Sequence, residues 1–245
     1  MNLTDRTIII TGASGGIGGA IARDVAAHGA KVMLTARTES KLQALRDELI
    51  NAGAQAAYHP GDVTVEADCR AIVQATLDTF GAVDVLVNNA GYGPAAPLLE
   101  TTEELWDVTL NACLKSAYLM SRAVMPHLLE NADGGAVVNI SSIAGKRGFS
   151  GGTAYCAAKW GMQGFTAALR AELGEQGIRA YTVCPAAVAT PWWGNTNSEQ
   201  PDDVMQRMIL PEEVADAVRY LLMQPERIQV DEIIIENRHD PFEMG

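Results

Sequence analysis

Tyr155 and Lys159 stand four residues apart in a stretch whose apolar spacing predicts a helix, so both side chains project from one face. A free phenol, with a pKa of about 10, is a poor base near neutral pH. An ammonium group beside it favours the phenolate, as would a helix N-terminus or an oxidised nicotinamide. Such a pair can pass a proton near neutrality. A Tyr-x-x-x-Lys pair also arises by chance, and alone it describes a solvated helix face equally well. Two neighbours sharpen it. The strand-like run Val137-Val138-Asn139-Ile140 ends in Ser141-Ser142, thirteen residues before Tyr155, and Val85-Leu86-Val87 leads into Asn88-Asn89-Ala90-Gly91.

A second constellation lies near the N-terminus. The β-branched run Thr7–Thr11 passes directly into Gly12-Ala13-Ser14-Gly15-Gly16-Ile17-Gly18, and a helical pattern follows. Glycines at a strand-to-helix turn let the backbone approach a pyrophosphate, while the helix offers it unpaired N–H groups and positive dipole. No Lys-Ser/Thr follows the glycines, which excludes a nucleoside-triphosphate loop. A plain tight turn is the competing reading. Opening the first strand-helix-strand unit, the loop reads as a dinucleotide site. The second strand ends Leu34-Thr35-Ala36-Arg37. A site for NAD(H) places an acidic residue at that strand end to bind the ribose 2′-hydroxyl. Ala36 supplies no carboxylate, and the planar fork of Arg37 suits a 2′-phosphate. NADP(H) is therefore the expected cofactor, against NAD(H) with a solvated Arg37.

These residues need a frame. Strands are expected at 7–11, 31–36, 55–59, 83–88, 135–141, 179–183 and 228–235. Helices are expected at 16–28, 38–52, 65–80, 101–130 (in one or two pieces), 154–174 and 211–223. Short runs that are apolar on both faces, alternating with helices, imply a parallel sheet covered on both sides. The expected fold is one α/β domain over residues 1–245, a Rossmann-type doubly wound sheet of about seven strands.

Composition narrows the partners. The chain has 245 residues, 48% hydrophobic and 20% charged, which excludes disorder, collagen and coiled coil. Its 18 basic and 30 acidic residues give a net charge of −12. Nucleic acid and anionic membranes repel such a chain, leaving a small molecule or another copy of itself. Cys69, Cys113, Cys156 and Cys184 lie 28 or more residues apart and read as free thiols in a reducing compartment. The N-terminal apolar run is too short for a signal peptide, and no run approaches the roughly 18 residues of a membrane span. A soluble, cytoplasmic protein is expected. His28, His59, His127 and His239 lack ligand spacing, so no metal is indicated.

Taken in order, the motifs Thr11-Gly12-x-x-x-Gly16-Ile17-Gly18, Asp62-Val63, Asn88-Asn89-Ala90-Gly91, Asn111, Ser142 and Tyr155-x-x-x-Lys159, with Pro185 and Thr190 beyond the sixth strand, resemble the short-chain dehydrogenase/reductase family over essentially the whole chain. The resemblance implies hydride transfer between NADP(H) and a carbonyl/secondary-alcohol pair. It implies Tyr155 as general acid/base, Ser142 on the substrate oxygen, and Lys159 on the nicotinamide ribose, depressing the Tyr155 pKa. Asn111 would position a water that links Lys159 to solvent. Cofactor contacts are expected from Gly12, Ser14, Gly16, Ile17, Gly18, Arg37, Asp62, Val63, Asn89, Ala90, Gly91, Tyr155, Lys159, Pro185, Val188 and Thr190. The family also implies a homotetramer built on the helices of 101–130 and 154–174.

Two departures bear on the substrate end. Ala186 stands where the family usually has glycine, which predicts a slightly altered nicotinamide loop. The ending Val230–Glu236 resembles a group of NADP-dependent 3-hydroxy-acid and serine dehydrogenases more than the 3-oxoacyl-thioester reductases. A 3-hydroxy acid or small ketone is the expected substrate, and a 3-oxoacyl thioester the alternative. Substrate residues are sought in 92–97, 143–152 and a lid at about 191–209 opened by Trp192-Trp193, with Lys146-Arg147 either meeting a substrate carboxylate or forming a solvated turn. A non-catalytic NADP-binding protein is the reading from another class. A nucleotide-sugar epimerase would need a further subdomain.

Overall fold

Every core strand here alternates between two interiors. Ile8 and Ile10 join one buried cluster and Ile9 the other; Val85 and Val87 oppose Leu86, and Ala136 and Val138 oppose Val137, in the same way. Period-two alternation with apolar residues on both faces requires helices above and below the sheet. The computed structural model, which describes residues 1–131, 134–196 and 198–242, has that arrangement.

The strands are β1 (Thr7–Thr11), β2 (Lys31–Thr35), β3 (Gln55–Tyr58), β4 (Val85–Asn88), β5 (Gly135–Ile140), β6 (Ile178–Pro185) and β7 (Glu232–Ile235). They form one sheet in the order β3-β2-β1-β4-β5-β6-β7, every pairing parallel. The helices are α1 (Gly16–Ala27), α2 (Glu39–Asn51), α3 (Glu66–Phe80), α4 (Glu103–Leu110), α5 (Ser116–Glu130), α6 (Thr153–Leu173), α7 (Trp192–Asn195), α8 (Asp202–Met205) and α9 (Pro211–Met223). Residues of α1, α2 and α9 fill the first cluster, and those of α3, α5 and α6 fill the second. The chain is a doubly wound α/β sheet, as its strand-helix alternation implied. No described helix is long and apolar enough to cross a membrane.

Three local features bear on the site's surroundings. β7 begins at Glu232 rather than near residue 228. The Arg170 guanidinium donates to the carbonyls of Ala180 and Asp231 at 3.1 and 3.0 Å, where the Thr182 N–H also reaches Asp231 at 3.1 Å. The helical stretch of 101–130 is interrupted by a π-helical turn at Asn111–Lys115, a form that often marks functional sites. Ala186 takes no positive φ, and its N–H donates to Ile235 at 2.8 Å, so the loop after β6 accepts a side chain there without strain.

Asp84, 5% exposed just before β4, fastens the amino edge of the sheet. Its carboxylate accepts from the Thr7 N–H at 2.8 Å, Arg6 Nη1 at 2.9 Å and Asn131 Nδ2 at 2.7 Å. Losing an ionised acceptor strands buried donors, so Asp84→Ala should cost about 2–3 kcal/mol. A urea midpoint unchanged from the wild type would show that these bonds contribute nothing net.

Candidate active site

The strand order reverses between β1 and β4, and in open parallel sheets ligands bind outside the carboxyl ends at that switch point. Thr11, the last residue of β1, ties the two strands there. Its hydroxyl accepts from the N–H groups of Asn89 and Ala90 at 2.9 and 3.0 Å and lies 3.3 Å from the Val87 carbonyl, to which it donates. The Asn89 amide donates in turn to the carbonyls of Thr11 and Gly12 at 3.0 and 3.2 Å. Asn89, expected as a cofactor contact, therefore spends its amide on the glycine turn, and supports it.

That turn is shaped for an anion. Gly12 has φ +65°, and a Cβ there would fall 3.0 Å from Ala90 Cα. A Cβ on Gly18 would lie 2.5 Å from both Asn89 Nδ2 and the Gly12 carbonyl oxygen, so only glycine allows α1 to approach β1. Gly16, at φ +53°, faces Thr190, whose Cβ and Cγ2 lie 3.3 Å from where its Cβ would be. No side chain caps α1 at Gly15. The N–H groups of Gly16, Ile17 and Gly18 thus lack a side-chain partner at a positive helix end, the donor set a pyrophosphate requires.

Farther along the sheet, Asp62 Oδ1 accepts from the Thr64 N–H at 2.9 Å and the Thr64 hydroxyl at 2.7 Å. Burial pushes this carboxyl up, yet the Thr64 donors and the Arg37 charge outweigh it and hold it below its ordinary value. Val63 beside it is buried. Arg37 is exposed and pairs with no carboxylate among the described residues. Next to the turn opens a cavity of about 240 Å³ lined by Ser14, Gly15, Gly19, Arg23, Lys41 and Glu48. Arg23 is bound to Glu48 at 2.6 and 2.9 Å, which leaves Lys41 as the cation there without an ion pair among the described residues. The sequence reading passed over Lys41. Its only signal was a position four after Arg37, at the start of α2.

The carboxyl end of β5 and the first turns of α6 bring the reacting groups together. Ser142 lies close enough to Tyr155 to act on its phenol, and its hydroxyl accepts from the Ala144 N–H at 3.1 Å. Lys159, 4% exposed, donates from Nζ to the Ile140 carbonyl at 2.8 Å and lies 5.6 Å from the Tyr155 ring centroid. A Cβ on Gly91 would sit 3.9 Å from that Nζ, so the Asn88–Gly91 turn borders the ammonium group. Asn111 opens the π-helical turn, and Cys113 on the same turn donates from Sγ to the Tyr92 carbonyl at 3.3 Å. Burial pushes the Tyr155 phenol up, against the opposing hydrogen bond from Ser142, and burial pushes Lys159 down. Burial is the larger effect on the phenol here, while the depression expected from Lys159 belongs with an oxidised nicotinamide beside it.

Gly93 was not singled out, although it closes the run Asn88-Asn89-Ala90-Gly91-Tyr92-Gly93. A Cβ there would lie 2.5 Å from Tyr155 Cδ2 and 3.1 Å from Thr109 Cγ2. The phenol ring rests on bare backbone. Gly93→Ala should displace the ring and lower turnover by about tenfold or more, since a misplacement of about 1 Å can cost 10²-fold. Cofactor affinity should hold. A Gly93→Ala enzyme with normal turnover would show that the ring tolerates the shift.

After β6, buried Pro185, Val188 and Thr190 lead into the expected lid. The two ends of that segment are clamped: Ala189 N–H donates to Ile209 at 2.8 Å, and Ile209 N–H to Ala187 at 3.0 Å. Trp192 packs on Tyr155 with ring centroids 5.7 Å apart. Lys146 is ion-paired with Glu232, and exposed Arg147 with Glu236 at 3.0 Å, so both cations of this solvent-facing turn already have a carboxylate. No group of His, Cys, Asp or Glu among the described residues could hold a metal ion.

Known proteins share this architecture. The family model described as short chain dehydrogenase matches residues 6–201. An uncharacterized oxidoreductase of Staphylococcus saprophyticus is 33% identical, covering 96% of this chain and 98% of its own. An alcohol dehydrogenase from the archaeon Thermococcus sibiricus, complexed with 5-hydroxy-NADP, superposes with a TM-score of 0.87 at 30% identity, covering 95% of this chain and 97% of that one. A metagenomic short-chain oxidoreductase in complex with NADP gives 0.83 at 34% identity, over 98% and 100%. With its sheet order, glycine turn and matched length, the chain belongs to the short-chain dehydrogenase family of oxidoreductases.

Proposed function

We propose that this chain is an NADP(H)-dependent oxidoreductase that interconverts a carbonyl group and a secondary alcohol, with Tyr155 as the general acid and base. One observation carries the reading: Ser142, Tyr155 and buried Lys159, its Nζ 5.6 Å from the Tyr155 ring centroid, gather at the carboxyl end of the sheet beside the uncapped α1 terminus. The NADP carried by two solved relatives supports the choice of cofactor. The bound dinucleotide supplies the hydride and, when oxidised, a positive ring.

The chain's own residues supply placement and the proton. The hydroxyls of Ser142 and Tyr155 converge on the substrate oxygen. In reduction the Tyr155 proton passes to that oxygen, and in oxidation the oxygen's proton returns to Tyr155. Lys159 holds the nicotinamide ribose, and Asn111 positions the water through which Lys159 exchanges protons with solvent. The α1 N–H groups, Ser14 and Arg37 hold the phosphates, while Asp62, Val63 and Ala90 border the adenosine. Gly91 borders the nicotinamide side, and Thr190 with Val188 and Pro185 closes over it. The segment 191–209 is the substrate lid. Exposed Trp106, Val108, Tyr118 and Trp160 on α4, α5 and α6 favour assembly into four copies, checked by light scattering at the tetramer mass.

The test is purified protein with NADPH and a panel of ketones, read at the nicotinamide absorbance. Steady NADPH oxidation that depends on the ketone is expected. Protein that binds NADPH yet turns over no carbonyl or alcohol would instead be a non-catalytic binding protein.

A further inference from the structure

Resting on that reaction, we infer that the substrate is an electrically neutral carbonyl compound with a flat or cyclic apolar body, and that Trp192 is the residue that selects it. The indole of Trp192 lies beside the Tyr155 phenol, rings 5.7 Å apart and tilted by 47°. It is held there from behind. Trp193 meets Trp192 edge to face at 5.2 Å and 88°, and Phe242 in the C-terminal tail meets Trp193 at 5.6 Å and 67°. The Trp193 indole N–H donates to the Val188 carbonyl at 2.9 Å, and the Thr196 hydroxyl to the Trp192 carbonyl at 3.0 Å. An aromatic wall anchored in this way, beside the ring that delivers the proton, matches a planar apolar body, because offset ring contacts add to simple burial. Gly93 also brings bare backbone against the same ring.

Charge decides the other half. The loops 92–97 and 143–152 and the lid 191–209 carry three cations, Lys146, Arg147 and Arg207. Each is matched by a carboxylate: Lys146 by Glu232, Arg147 by Glu236 at 3.0 Å, and Arg207 by Asp203 at 3.4 Å. The lid adds Asp202 and Glu199, the latter with Oε1 3.6 Å from the position of a Gly194 Cβ. A substrate carboxylate or phosphate would find neutralised pairs and surplus negative charge, and would lose hydration for nothing in return. A 3-hydroxy acid or a phosphate-bearing thioester is therefore disfavoured.

The test uses a matched pair of ketones, para-acetylbenzoate and its methyl ester, which differ in charge at the same aromatic ketone. With the wild type and NADPH, kcat/KM for the ester should exceed that for the acid by about tenfold or more. Glu232→Gln with Glu236→Gln frees Lys146 and Arg147, and should narrow that gap. Trp192→Ala should lower the ratio of kcat/KM for the ester to that for butanone, since only the aromatic ketone uses the indole face. Equal or better turnover of the acid overturns the neutral-substrate inference, and an unchanged ester-to-butanone ratio in Trp192→Ala overturns the selector role. Either result leaves the proposed reaction standing. A wild type that reduces no ketone at all, while binding NADPH, overturns both.

Discussion

Tyr155→Phe should lower turnover by about 10²-fold or more and leave NADPH affinity close to that of the wild type, the usual scale for losing a general acid. The phenylalanine keeps the ring against Gly93 and Trp192, so packing survives and the hydroxyl alone is removed. Lys159→Ala should differ in kind. Its ammonium group is buried on the Ile140 carbonyl beside Gly91, so its loss should lower turnover and weaken cofactor binding together. The pH dependence has a definite sign. Burial raises the phenol pKa, so the acid form needed for carbonyl reduction persists through neutral pH and the rate should hold level there. Alcohol oxidation needs the phenolate and should climb as pH rises. Near-normal turnover in Tyr155→Phe would reject the assignment, and a reduction rate falling steadily through neutrality would place the titrating acid elsewhere.

Much of this was legible because the relevant signals are local. The glycine turn is legible since a strand running into closely spaced glycines and then a helix has few other solutions, and β1 and α1 follow it within a residue or so. Tyr155 and Lys159 share a helix face through periodicity alone. What stayed hidden depends on pairing across the chain. No spacing rule places Gly93 under a ring sixty-two residues later, or Phe242 behind Trp193. That the Asn89 amide also supports the glycine turn, donating to carbonyls of β1 and the turn, shows only in three dimensions. Lys146 and Arg147 read as a solvated turn or a carboxylate site, and only the pairing of β7 with β6 brings Glu232 and Glu236 against them. For the Tyr155 phenol, sequence shows the charged neighbour but not the burial that opposes it.

Wild-type enzyme should prefer NADPH over NADH in kcat/KM by about one to two decades. Ala36 offers no carboxylate to a ribose 2′-hydroxyl, and Arg37 next to it is exposed and without an ion-pair partner among the described residues. A charge-assisted hydrogen bond to a 2′-phosphate contributes about 1.5–3 kcal/mol, which corresponds to that range. The cavity beside the glycine turn brings Ser14 and Lys41 to the same side, while Arg23 is already held by Glu48. Lys41→Ala should therefore reduce the preference, and Arg37→Ala should reduce it further. Ala36→Asp combined with Arg37→Ile should reverse it, because the new carboxylate accepts from the 2′-hydroxyl and repels a 2′-phosphate. Added salt should weaken NADPH more than NADH, since the distinguishing interaction is ionic and exposed. These are read from paired titrations and initial rates with the two cofactors. Equal or better kcat/KM with NADH in the wild type would show that Arg37 serves only solvent, and the assignment to NADP(H) would fall with it.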